Sequence, residues 1–352
     1  MRHRKPRLPL VRPFSPGYTL IELLIVVMIA ILLMVVSLPV AKTVMDDARP
    51  REAARILNTG LFTAKARAAS SGRLVGMEFV LQRMNDPGAA QGAHQCTQMY
   101  MCEVPAMYMG DTTDARATVN GSAITFLNNC AGSLPSLLDP NTNNAFEIRF
   151  NHRGLWYSAR YTGSVYQINT LGLPLPSIGP NGSSFHIRRP PVRVGNPIEL
   201  PKSTCIDMVY SGVGPGGTEF GTADGNGPLR IMFAPAGNLH SMSMSAPPSG
   251  GGSSVNQATA AFGTVHFLVG KTGRINLAQE GSTYNFHDPE KSNLADGRSL
   301  WVSVSRNSGI ITTNENNPDL QNLSDPSNAT QRATFFTTSR KFATNREQKG
   351  GL

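Results

Sequence analysis

Charged side chains are scarce in this chain, and cysteine is scarcer. Asp, Glu, Lys and Arg make up only 16% of the 352 residues, and there are four cysteines and two tryptophans. No C-x-x-C pair occurs, which excludes zinc-ribbon and thioredoxin-like chemistry. No H-E-x-x-H and no G-x-S-x-G occurs, and the seven histidines are scattered, so the signatures of zinc proteases and of nucleophile-elbow hydrolases are absent. The string GVGPGG at residues 212–217 has glycines spaced as in a dinucleotide fingerprint, but the TEFGTADGNGP that follows cannot start the helix that would hold a pyrophosphate. GKT at residues 270–272 lacks the earlier glycine of a phosphate loop, since position 265 is valine. DGNG at residues 224–227 offers one carboxylate, where calcium prefers several oxygen ligands. These absences predict a chain with no catalytic residues, no cofactor and no metal.

What is abundant is glycine, proline and short apolar runs. With 34 Gly and 25 Pro, the text beyond residue 72 reads as strands broken by turns. Strands are expected at 74–80, 146–150, 155–161, 165–169, 185–188, 204–210, 229–233, 265–269 and 299–303. Loops are expected at 86–95 and 245–254. The formal net charge of +9 is confined to the two ends. Arg2, Arg4, Lys5, Arg7 and Arg12 give +5 in the first seventeen residues, and residues 327–352 give +4. Only the ends therefore need an electrostatic explanation. The C-terminal group places Arg340, Lys341, Arg346 and Lys349 among phenylalanines. That combination could contact a nucleic-acid backbone and stack on bases, and a solvated terminus is the plainer reading. Cys96, Cys102, Cys130 and Cys205 could form two disulfides outside the cytoplasm, in three possible pairings, or stay apart as small buried hydrophobes. Cys96 and Cys102 are spaced to face one side of a strand or to close a small loop.

One stretch stands out: SPGYTLIELLIVVMIAILLMVVSLPVAK, from Ser15 to Lys42. Its unbroken apolar core at residues 23–36, with the flanking apolar residues, reaches the ~20 residues that a membrane-spanning helix needs. The basic residues before it predict a cytoplasmic N-terminus and an extracytoplasmic remainder. A signal peptide or a plain anchor leaves Glu22 without a task. The text that follows, with Ala53, Ile56, Leu57, Leu61, Ala64 and Ala68 at helical spacing, predicts an amphipathic helix that stops at Gly72.

PGYTLIELLIVV resembles the leader and methylation motif of type IV prepilins and type II secretion pseudopilins. Gly17 matches the last leader residue, Tyr18 the first mature residue and Glu22 the family's glutamate at mature position five. Pro39 falls where many members carry a helix-kinking proline. LNTGLFTAKARAASSGRLVGMEF is similar to the corresponding segment of the GspH/FimT minor pseudopilin group. The resemblance implies cleavage after Gly17 by prepilin peptidase, N-methylation of Tyr18, and pairing of Glu22 with the N-terminus of a neighbouring subunit.

The resulting expectations are specific. The fold class is α+β and pilin-like, with a long N-terminal helix packed on a C-terminal antiparallel sheet domain. The organisation is a leader at 1–17, a transmembrane helix at 18–41, an amphipathic helix at 42–72, a β-rich domain at 73–313 and a loose basic tail at 314–352. The expected role is a non-catalytic minor pseudopilin or minor pilin. It would sit in the inner membrane as a single-pass protein with an extracytoplasmic domain, and its partners would be other subunits and the prepilin peptidase/methyltransferase. A DNA-binding minor pilin using the tail, and a membrane-anchored β-domain binder or enzyme, are the alternatives.

Overall fold

A computed structural model of the chain describes residues 19–82, 95–127, 134–138, 145–152, 154–169, 172, 174, 177–214, 219–220, 228–246, 255–259, 263–275, 288–317, 334, 336–341 and 343, with backbone alone at 36–47, 135–136, 145, 244–246 and 255–259. It divides into two compact units, residues 1–48 and 49–352. The one long helix, α1, is Leu20–Ser71. The strands are β1 (Val75–Gln82), β2 (Gln95–Glu103), β3 (Arg116–Asn120), β4 (Ala123–Leu127), β5 (Ala145–Phe150), β6 (Tyr157–Tyr161), β7 (Tyr166–Asn169) and β8 (Phe185–Arg188). There follow β9 (Val192–Glu199), β10 (Thr204–Val213), β11 (Leu229–Phe233), β12 (Leu239–Ala246), β13 (Val255–Thr259), β14 (Val265–Lys271), β15 (Leu300–Val304) and β16 (Ile311–Glu315).

The expected α+β, pilin-like fold class is overturned. The described residues are dominated by β-structure in two antiparallel sheets, not by one sheet carried on a helix. The larger sheet has ten strands in the order β13-β12-β11-β1-β2-β10-β14-β15-β16, with β9 also paired to β2. The smaller has six, in the order β3-β4-β7-β6-β5-β8. The smaller sheet has a core of its own around Phe146, Ile148, Phe150, Tyr157, Phe185 and Ile187. Alternation along single strands shows that strands exist. It does not show which strands pair, because pairing depends on contacts far apart in the chain.

Within the second unit, α1 contributes one stripe to the main core. Ala53, Leu57, Leu61, Ala64 and Ala68 are buried with Met77, Phe79, Ile231, Phe233, Phe267 and Val302. The stripe is rich in alanine, so the helix backbone approaches the strands closely. At Gly60 an added Cβ would meet the Met77 Cε at 3.3 Å. The helix ends where Gly72 adopts a φ of 65° and donates its N–H to the Ala68 carbonyl, a left-handed stop that glycine takes without steric cost.

The membrane expectation is also overturned. Among the described residues no helix is long and apolar enough to cross a membrane, so single-pass placement in the inner membrane is not supported.

The sequence leaves the cysteines two readings, paired in disulfides or apart as small buried hydrophobes. Cys96, Cys102 and Cys205 are free and buried, and Cys130 lies outside the described residues. Cys96 and Cys102 share β2 but not a face, because the register with β1 shifts between Val80 and Leu81. The pairs are Val80 with Gln98 and Leu81 with Cys96, leaving Thr97 as the extra residue. A bulge reverses the alternation. Cys96 therefore joins Met99 in the main core, while Cys102 pairs with Gly76 on the opposite face and meets the Met232 sulfur at 3.5 Å. Burial pushes the thiols of Cys96 and Cys102 up to about 12, so both are inert small hydrophobes.

Leu57→Ala and Leu61→Ala should each lower the unfolding free energy by about 2–5 kcal/mol, since both side chains are 0% exposed. Phe62→Ala, at a position 63% exposed, should change it by no more than about 0.5 kcal/mol. Urea denaturation of the three variants checks the direction in which the stripe faces.

Candidate assembly site

The residues singled out by the prepilin resemblance straddle the first described position. Gly17 and Tyr18 lie outside the described residues. Glu22 is in the first turn of α1. Its Oε2 accepts hydrogen bonds from the Thr19 N–H and the Thr19 hydroxyl, each at 2.9 Å, and the Glu22 N–H donates to the Thr19 Oγ1 at 3.3 Å. This reciprocal arrangement is a capping box. It satisfies N–H groups that a helix start leaves free, and it puts a carboxylate at the positive end of the helix dipole. Glu22 thus has a task within its own chain, which the sequence reading missed. The signal was present in T-L-I-E ahead of an apolar run.

The next turns of α1 are apolar on all sides. Every large apolar side chain from Leu20 to Val35 is at least 47% exposed. Pro39 lies within the helix, and its side chain is outside the described set.

Of the four basic C-terminal residues, Arg340 and Lys341 are described, and they have different surroundings. Arg346 and Lys349 lie outside the described residues, and Lys341 is exposed. Arg340 is only 1% exposed. Its Nη2 donates to the Tyr210 carbonyl at 2.8 Å and to the Glu219 Oε1 at 3.2 Å, and its Nη1 to the Gly214 carbonyl at 3.3 Å. Burial draws its pKa down to about 10, with Glu219 opposing. Arg340 therefore ties residues 336–341, which are helical, onto the face of the large sheet opposite α1. Phe336 and Ala343 pack there with Tyr210, Leu268, Leu294 and Trp301. Composition could not show that a basic, polar terminus would be anchored by one of its own arginines.

That face also holds two buried titratable groups. Asp207 on β10 accepts from the Asn293 amide at 2.9 Å and from the Val209 N–H at 3.0 Å. Burial dominates and pushes its carboxyl up to about 7. His266 on β14 shares a 2.8 Å hydrogen bond with the Ser303 hydroxyl. Burial, and then the Arg340 charge, pull it down to about 3. Among the described residues no group of three or more His, Cys, Asp or Glu could hold a metal ion. The buried groups brace the sheet and present no reacting atom to solvent.

No protein-family model, no curated protein and no solved structure matches this chain.

The two buried groups bias stability in opposite directions. Asp207 stays protonated in the folded state, so its contribution is present below about pH 4 and is lost as pH rises through about 7. His266 stays neutral in the folded state, so its contribution is present above about pH 6.5 and is lost as pH falls toward about 3. Between about pH 4 and 6.5 the folded chain holds one proton on Asp207, where the unfolded chain holds one on His266, and the slopes cancel. Asp207→Asn should therefore make stability rise with pH across this window, and His266→Gln should make it fall. Urea midpoints at the two ends of the window read both signs.

Proposed function

We propose that the chain is a non-catalytic structural subunit, a minor pseudopilin or minor pilin. Prepilin peptidase would release it after Gly17, and it would assemble with other subunits through the N-terminal part of α1. The observation that carries this reading is the helix segment Leu23–Val35, apolar on every side and exposed, directly after a PGYTLIE motif. A helix that is apolar all round must be surrounded to be stable in water, and neighbouring helices of the same kind would cover it. Glu22 immediately precedes this segment, where its carboxylate could meet the ammonium of a newly cleaved N-terminus. The anchoring of Arg340 in the fold weighs against the alternative in which the tail binds DNA.

The intact mass of the mature protein should correspond to loss of residues 1–17 and gain of one methyl group. Two variants separate the charge of Glu22 from its cap. Glu22→Gln keeps a side chain able to complete the capping box but removes the charge, whereas Glu22→Ala removes both. Both variants should be absent from filaments pulled down with tagged wild-type subunits. Recovery of Glu22→Gln at wild-type levels would reduce Glu22 to a helix cap and sink the charge-pairing role.

A further inference from the structure

The outward face of the six-stranded sheet is basic, although the middle of the chain is formally neutral. Arg116, Arg149, Arg160 and Arg188 lie on this face, as the pairing of Arg116 with Leu127, Arg149 with His186, Ala145 with Arg160 and Glu147 with Arg188 shows. Glu147 is the one carboxylate on the same rows of strand residues. At one edge, between β5, β8 and the turn after β5, the charges are organised into a cluster. The Arg149 and Arg188 guanidinium carbons lie 4.8 Å and 4.4 Å from the centre of the Trp156 ring. The Arg149 Nε–H donates to the His186 Nδ1 at 3.0 Å, and the His186 Nε2 is 2.9 Å from the His152 Nδ1.

These contacts dictate the protonation pattern. Arginine only donates, so the His186 Nδ1 is an acceptor and its ring proton sits on Nε2. Burial, and then Arg149 and His152, hold His186 below the ordinary imidazole range, which keeps the ring neutral. The His186 Nε2–H then donates to the His152 Nδ1, and the His152 proton is placed on Nε2. His186 is 8% exposed, so this chain of donors is built into the sheet and ends on the exposed ring of His152. Both nitrogens of His186 and the Nδ1 of His152 are engaged, so the pair is not arranged to chelate a metal. Asn151 and His152 both have a φ of 57°, an unusual backbone for non-glycine residues. The Ser183 hydroxyl holds that turn through the Asn151 Oδ1.

We propose that this cluster is a binding site for a phosphate group, held by the guanidinium edges of Arg149 and Arg188 and by the His152 Nε2–H. A guanidinium lying against an aromatic face keeps its in-plane N–H groups for an anion. Among the described residues Arg149 has used only Nε, on His186. Arg188 already holds an oxyanion, the Glu147 carboxylate. The two side chains of that ion pair are 40% and 48% exposed, and exposed pairs contribute little, so an incoming anion can displace it. Three donor groups suit a tetrahedral anion with three acceptor oxygens.

The full chain is titrated with inorganic phosphate by calorimetry, alongside phenyl phosphate. Tighter binding of the ester identifies a phosphate carried on a larger molecule, tighter binding of phosphate a free anion, and either order upholds the site. Arg188→Ala and His152→Ala should each weaken binding about tenfold. Arg116→Ala, on the same face but away from Trp156, should leave it unchanged. Glu147→Gln should strengthen binding, a gain that a misfolded variant cannot produce. Circular dichroism and the thermal midpoint confirm that each variant folds. Absence of binding to the wild type, equal losses in Arg116→Ala and Arg188→Ala, or no gain in Glu147→Gln would overturn the proposal.

Discussion

The closure of the Ala53–Ala68 stripe of α1 against the ten-stranded sheet is the contact on which the larger unit depends. A sheet this wide has two apolar faces to cover, and the helix covers one of them. The alanines matter as much as the leucines, because they let the backbone come close enough for Leu57 and Leu61 to reach Phe79, Ile231 and Phe267. Gly76 serves the same closeness within the sheet. A Cβ there would meet the Ile231 carbonyl oxygen at 1.9 Å.

The opposite face is covered by a different chemistry. Arg340, Asn316, Asn293 and Asp207 form a buried polar layer under a thin apolar cover. The Asn316 Oδ1 accepts from the Trp301 Nε1 at 3.0 Å, and its amide donates to the Leu294 and Asp296 carbonyls. Each group is expensive to bury alone and acceptable once bonded. Around β1 the same logic recurs: Glu78 is held by Arg193 at 2.6 Å and Arg230 at 2.7 Å, with Arg193 lying over Tyr100. Such layers specify how segments distant in the chain meet, and they leave little freedom for alternative packing.

This division explains what could be read from the residues alone. The strands at 185–188 and 229–233 were legible to the residue, and the burial of Ala53, Leu57, Leu61, Ala64 and Ala68 followed from their spacing. β9 was not legible, because Gly195 and Pro197 interrupt it and most of its residues are exposed. Nor was β2, whose bulge breaks the alternation that marks a strand. The cluster around Trp156 was invisible as well. Arg149 and Arg188 are unremarkable letters until β5 and β8 pair antiparallel and bring them onto one face, where they lie against Trp156 and reach His152 through His186. At the N-terminus the position of Glu22 was legible, and its bond to Thr19 was spelled out in four letters that were read for another meaning.

The way the smaller sheet joins the larger one has a consequence for how the chain could have been built. The chain leaves the large sheet after Glu103 at the end of β2 and comes back at Val192, which is the direct partner of Glu103 in the β2–β9 ladder. Everything from 104 to 191 is thus an excursion whose entrance and exit are neighbouring rungs. Among the described residues it brings its own apolar interior and borrows no strand from its host. In its place a short hairpin turn could join β2 to β9 and leave that ladder intact. The smaller sheet is in effect a cassette, free to be lengthened, exchanged or lost without disturbing the β2–β9 ladder.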